Sequence, residues 1–92
     1  MTSSPGTPHL NNHHADTLRQ IFARPVSHNI EWHAVSSLLE ALGTVEVHHD
    51  GKVAVKVGSQ AAFLEPPVGK DIDEQMVLDL RRMLSQAGYE PS

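Results

Sequence analysis

The sequence predicts an α+β domain in which a three-stranded antiparallel sheet is covered on one face by two main helices. Two segments carry apolar residues at helical spacing, and the segment between them alternates apolar and polar residues. Gly and Pro residues separate these segments. The predicted order is α-β-β-β-α after a short N-terminal helix, and the second face of the sheet is left in water.

The closing helix has the clearest pattern. Asp71 and Glu74 have the spacing of a capping arrangement, in which side chains satisfy backbone N–H groups at a helix start. Gly88 follows the last apolar position, where a left-handed residue commonly ends a helix. Arg81 and Arg82 lie off the apolar stripe and are predicted to be solvated. The stripe consists of Met76, Val77, Leu80, Met83, Leu84 and Ala87.

The first main helix is predicted over residues 30–42, with Asn29 as its N-cap. Trp32 begins the apolar stripe of this helix, so we expect it to pack in the core rather than to stack on a base. Gly43 takes the position of a C-terminal cap. The rest of the stripe is Val35, Leu38, Leu39 and Leu42.

The middle of the chain predicts three short strands. Asp50-Gly51 is a hairpin signal, because both residues tolerate positive φ. Gly58-Ser59-Gln60 predicts a second turn, into a strand around residues 62–65 that Pro66-Pro67 ends. The residues expected to bury one face of the first two strands are Val45, Val47, Val53, Val55 and Val57.

Composition divides the chain of 92 residues into three parts within a single folded unit. Residues 1–15 are polar and predict a disordered tail. Residues 16–27 predict a short helix, capped by Asp16 and ended by Pro25, and then a linker. Residues 28–89 hold the α-β-β-β-α domain.

Composition also limits the function. The chain has no Cys, which excludes disulfides and thiolate chemistry, and no apolar run long enough to span a bilayer. We therefore expect a cytoplasmic protein without a membrane partner. From His28 onward ten acidic side chains face five basic ones, a balance of −5, whereas nucleic-acid binders usually carry a basic surface.

Residues 28–89 resemble the HicA-type toxins, small cytoplasmic proteins with a fold like that of double-stranded-RNA-binding domains. The resemblance rests on the helix end Leu39-x-x-Leu42-Gly43, the three-stranded meander, the loop at Pro67 and the final helix ending at residues 84–89. Its most specific part is the phrase at residues 79–84. It implies an RNA-directed protein of toxin–antitoxin type, active as a metal-independent mRNA endoribonuclease, with a HicB-like antitoxin as its partner.

The family's working histidine follows a Gly-Ser turn at the start of the second strand. This sequence has Lys52 after its first turn, and its Gly58-Ser59 pair is followed by Gln60. The resemblance therefore implies that a neighbouring histidine has taken the role or that the activity is lost.

RNA cleavage at a 2′-hydroxyl needs an acid–base group, for which imidazole is suited, and a cation beside the phosphate. His49 is the first candidate for catalysis and His48 the second. Adjacent strand residues point to opposite faces, so continued alternation places His48 with Glu46 on the exposed face and His49 at the turn. The alternative is two solvated histidines on a hairpin. The candidate RNA- or phosphate-binding residues are Lys52, Lys56 and Lys70.

No metal or other cofactor is predicted. A flexible tail would hold a metal weakly, so its histidines are interpreted as solvated. His28 and His33 lack the i, i+4 spacing of a chelating pair, and the acids near residue 73 lack the pattern of a calcium loop. The tail residues considered as ligands are His9, His13, His14 and Asp16.

A second interpretation belongs to a different class, a non-catalytic interaction module. Its exposed sheet face or edge strand would bind a protein, or a second copy of the chain by strand addition. The acidic balance favours this module and the family resemblance favours the toxin.

Overall fold

The computed structural model describes residues 12–90 and has the predicted α+β fold. The three strands form one antiparallel sheet in the order β1-β2-β3. Within the described residues, no helix is both long enough and apolar enough to cross a membrane. The elements are α1 (Asn12–Ile21), α2 (Trp32–Leu42), β1 (Thr44–Val47), β2 (Val53–Val57), β3 (Gln60–Leu64) and α3 (Glu74–Gln86).

One hydrophobic core lies between the sheet and the helices. Helix α2 packs against β1 and β2, and α3 packs against β3, so the helices cover a single face of the sheet. The β2 residues that alternate toward this inner face, Val53, Val55 and Val57, are buried as predicted. Val47 is 72% exposed, so its predicted burial is wrong. It ends an edge strand, where no described side chain covers it.

Helix α1 begins at Asn12, one turn before the predicted start at Asp16. The predicted tail is therefore wrong for residues 12–15, and its remainder lies outside the described residues. Leu18 and Ile21 bury the inner side of α1 in the same core as α2 and α3.

Arg81 of α3 hydrogen-bonds to the C-terminal end of α1, so the prediction that its side chain is solvated is wrong. Its Nε donates to the carbonyl oxygen of Ile21 at 2.6 Å, and its guanidinium also donates to the carbonyl of Ala23. These carbonyls close the C-terminal end of α1, where a cation also complements the helix dipole. Arg82 is exposed, as predicted.

Helix α2 begins at Trp32, two residues later than predicted, and Asn29 is not its cap. The Asn29 side chain accepts from Ser27 instead. The backbone before α2 is committed to a short antiparallel pairing with the segment before α3. The Trp32 N–H donates to the Lys70 carbonyl at 2.8 Å, and the Ile72 N–H donates to the Ile30 carbonyl at 2.9 Å.

The spacing of Asp71 and Glu74 predicts that Asp71 caps α3, and this prediction is wrong. The pairing just described explains why. Asp71 forms the isolated β-bridge with Glu31, so the helix starts later. Asp73 is the N-cap, and its carboxylate accepts from the Met76 N–H at 2.9 Å. The C-terminal prediction is confirmed. Gly88 has φ 92°, and the Tyr89 N–H donates to the Leu84 carbonyl at 2.8 Å in a Schellman arrangement.

Two positions near the sheet favour glycine for different structural reasons. Gly58 has φ 59° in a two-residue turn, so β3 starts at Gln60, earlier than predicted, and ends at Leu64. Gly43 is extended, and its N–H ends α2 by donating to the Leu39 carbonyl. A Cβ at Gly43 would lie 1.9 Å from the Lys56 carbonyl oxygen, so close backbone approach requires glycine there.

Candidate nucleic-acid site on the outer face of the sheet

The face of the sheet opposite the helices, called the outer face below, carries a mixed set of apolar and charged side chains. In the strand register Glu46 lies opposite Ala54, which lies opposite Phe63, and Lys56 lies opposite Ala61. Directly opposed residues share a face of a sheet. The small alanines leave a shallow groove of about 440 Å³ beside the Phe63 ring. Phe63 is 71% exposed.

His48 extends this face beyond the end of β1. Its backbone N–H donates to the Lys52 carbonyl at 2.8 Å, which continues the ladder by one residue. Its ring meets the Phe63 ring edge to face, with centroids 5.8 Å apart and an interplanar angle of 78°. Its Nε2 lies 3.6 Å from Glu46 Oε1. The expected alternation of Glu46 and His48 on the exposed face is confirmed.

The two hairpin histidines differ in their surroundings. His49 occupies the turn, which is closed by the Gly51 N–H donating to the His48 carbonyl at 3.0 Å and by the Asp50 carboxylate accepting from the Lys52 N–H at 3.1 Å. Within residues 12–90 His49 has no hydrogen bond or ion pair. The geometry therefore favours His48 over His49 as the acid–base candidate.

The three predicted lysines do not form one cluster. Lys56 lies on the outer face, and the continued alternation of β2 brings Lys52 to the same side as Phe63. Lys70 instead lies at the start of α2, where its Nζ is 3.6 Å from Glu31 Oε2. Lys52 thus lies beside His48, whereas Lys56 lies opposite Thr44 at the other end of β2 and Lys70 belongs to the pairing that precedes the helices.

A second polar region lies between α1 and α2. His13, His14 and His33 border a cavity of about 380 Å³, and His14 Nε2 lies 2.8 Å from the Ser37 hydroxyl. Asp16 forms an ion pair with Arg19. In the described part of the chain, no three His, Asp or Glu side chains are grouped so that they could hold a metal ion.

Sequence reasoning missed the aromatic part of the outer face. The sequence prediction placed a strand around residues 62–65 but assigned none of its side chains to a face of the sheet. In the structure the alternation of β3 places Leu64 in the core and Phe63 in solvent. The expected packing of Trp32 is confirmed, since it is half-buried against the core.

Comparisons with known proteins add no assignment. No protein-family model, no curated protein and no solved structure matches this chain.

Proposed function

We propose that this protein is a HicA-like, RNA-directed domain of toxin–antitoxin type that binds and cleaves RNA on the outer face of its sheet, in the cytoplasm. The observation that supports this proposal is the grouping of His48, Glu46 and Phe63, with Lys52 and Lys56 on the same side. An acid–base group and a cation suit RNA cleavage at a 2′-hydroxyl, and an exposed aromatic ring can stack on one base of a single strand.

The proposed chemistry uses the 2′-hydroxyl of the substrate as the nucleophile. His48 removes the hydroxyl proton, and the 2′-oxygen attacks the adjacent phosphorus. The bond from phosphorus to the 5′-oxygen breaks, which leaves a cyclic phosphate, and the departing oxygen receives the proton back from the imidazolium or from water. Lys52 or Lys56 stabilises the negative charge that develops on the phosphoryl oxygens. This reaction needs no metal, because side chains supply the base and the cation.

Glu46 and Phe63 have supporting roles in this proposal. The Glu46 carboxylate, 3.6 Å from Nε2, orients the His48 ring. The exposed Phe63 ring offers a flat surface for one base, and such stacking is worth about 1–3 kcal/mol per base. Tight nonspecific binding is not expected from an acidic chain, so we expect this site to act on single strands with few phosphate contacts.

The test compares the wild type with His48→Ala and His49→Ala. Each purified protein is incubated with single-stranded RNA, and each is also induced in a bacterial host while growth and mRNA integrity are followed. We expect cleavage and growth arrest by the wild type and by His49→Ala, and a loss of at least about 100-fold in rate for His48→Ala. Equal loss in both variants would contradict the assignment to His48, and an inert wild type would contradict the ribonuclease.

A second candidate function is supported by the charge of the molecule. Because the chain carries −4 overall and −5 from His28 onward, the outer face has apolar side chains in acidic surroundings that repel phosphate. Such a face suits a non-catalytic interaction module that binds an antitoxin of HicB type or another protein. Under this alternative, the double variant His48→Ala/His49→Ala still co-purifies with the partner, whereas Phe63→Ser does not.

A further inference from the structure

The outer face has an exposed ring beside a hollow, which is the shallow groove described above. Phe63 on β3 projects into solvent, and the neighbouring positions on β2 and β3 are the small residues Ala54 and Ala61. Because Ala54 is directly opposite Phe63 in the register, the ring and the hollow lie on adjacent strands at the same height. A surface with this arrangement can receive its own copy.

We propose that the outer face is the contact surface of a homodimer, in which a second copy packs face to face about a two-fold axis parallel to the strands. With the axis above the line between β2 and β3, each β2 strand lies over β3 of the second copy. Phe63 then packs over Ala54 and against the His48 ring of the second copy, which itself reaches across β2, and the reverse contact forms by symmetry. This is the aligned packing of two sheets whose side chains interdigitate.

Charge complementarity favours a second copy over other occupants of this face. Alternation carries Lys52 and Glu65 to the outer face just beyond the ends of their strands, where they border Phe63 together. The same two-fold axis places Lys52 of each copy opposite Glu65 of the other, so two opposite-charge pairs form. The chain as a whole carries −4, yet the outer face of each copy balances Lys52 and Lys56 with Glu46 and Glu65.

The size of the surface sets the expected strength. Strands β2 and β3 have five residues each, so the contact is smaller than the roughly 800 Å² per partner of a standard interface. We therefore expect a reversible dimer with a dissociation constant on the order of 0.1 mM. This dimer covers Phe63 and competes with the RNA site proposed above, but it does not depend on ribonuclease activity.

Sedimentation velocity on the full chain, over about 10 µM to 1 mM, tests the dimer around that expected dissociation constant. The chain offers a matched pair of variants, because Phe63 and Val47 are 71% and 72% exposed. Phe63 lies on the proposed contact surface and Val47 at the free edge of β1. We expect Phe63→Ser to stay monomeric, and Val47→Ser to dimerise as the wild type does. A monomeric wild type at 1 mM overturns the proposal. A dimer that is lost in Val47→Ser and kept in Phe63→Ser also overturns it, in favour of strand addition at the β1 edge.

A charge exchange tests the register without removing apolar surface. Lys52→Glu and Glu65→Lys should each weaken dimerisation at least about tenfold, and the double variant should restore it. Failure of the double variant to restore the dimer contradicts the proposed axis. Dimerisation is measured without RNA, so a monomeric protein that cleaves RNA refutes this inference alone, and a dimeric protein that cleaves nothing refutes the ribonuclease alone.

Discussion

The two faces of the sheet differ in how strictly packing restricts the residues at their positions. On the inner face, β2 contributes Val53, Val55 and Val57, which two helices cover almost completely. On the outer face the intervening residues Ala54 and Lys56 remain in contact with solvent. A one-residue change of register would exchange these two sets, so burial of the valines fixes the register. Packing on the inner face therefore also determines which side chains lie on the outer face. These outer side chains are not needed for the core and are available for function.

The largest difference between the two faces is expected when a charge is placed on each of them in turn. Val55→Asp puts a carboxylate into the core without a partner, which costs about 3–5 kcal/mol. A domain of this size has a total stability near the low end of about 5–15 kcal/mol, so we expect Val55→Asp to be largely unfolded at 37 °C. Urea denaturation followed by circular dichroism measures the difference.

The matched control is Lys56→Asp, one residue along the same strand. Its side chain is exposed, so we expect its free energy of unfolding to stay within about 0.5 kcal/mol of the wild type. Equal destabilisation by both variants would mean that the outer face is buried in solution, for example by a tight partner.

The helix layer on the inner face depends on a contact between distant parts of the chain. Arg81 binds the carbonyls of Ile21 and Ala23 and so fixes the C-terminal end of α1 on α3. Arg81→Met keeps an apolar side chain of similar length but loses these charge-assisted hydrogen bonds. We expect it to lower the free energy of unfolding by about 1.5–3 kcal/mol. Hydrogen exchange should then rise in α1 more than in the sheet.

Arg82 supplies the control for this prediction, because it is adjacent in sequence and exposed. Arg82→Met should leave both stability and the exchange of α1 unchanged within about 0.5 kcal/mol. If Arg81→Met also leaves α1 fully protected, apolar burial of Leu18 and Ile21 alone holds that helix.

Local patterns predicted those parts of the molecule whose causes are local. Alternation at Val53, Val55 and Val57 and the C-terminal cap at Gly88 each depend on neighbours within a few residues, and both predictions are confirmed. The starts of α2 and α3 were misplaced, because they are set by a pairing between Glu31 and Asp71, forty residues apart. No short-range pattern reports such a pairing.

The candidate site shows the same division between local and distant causes. The side of the sheet on which His48 lies follows from alternation along one strand, and the sequence predicted it. The contact between His48 and Phe63 joins strands β1 and β3 across β2, so it depends on the register of two strand pairings. The capping role of Arg81 joins the first and last helices and was likewise missed.

The smallest expected effect is the difference in stability between alanine variants of the two aspartates before α3. The sequence pattern assigned the cap to the wrong one of them. Asp73 accepts from the Met76 N–H, and we expect Asp73→Ala to cost about 1 kcal/mol because that N–H loses its partner. Asp71 makes no such cap bond, and its buried Oδ1 has no hydrogen-bond partner among the described residues. Asp71→Ala should therefore cost less than Asp73→Ala, since the bridge to Glu31 uses backbone atoms that alanine retains. Thermal unfolding of the two variants side by side decides the order. A larger loss for Asp71→Ala would show that its carboxylate has a stabilising partner in solution.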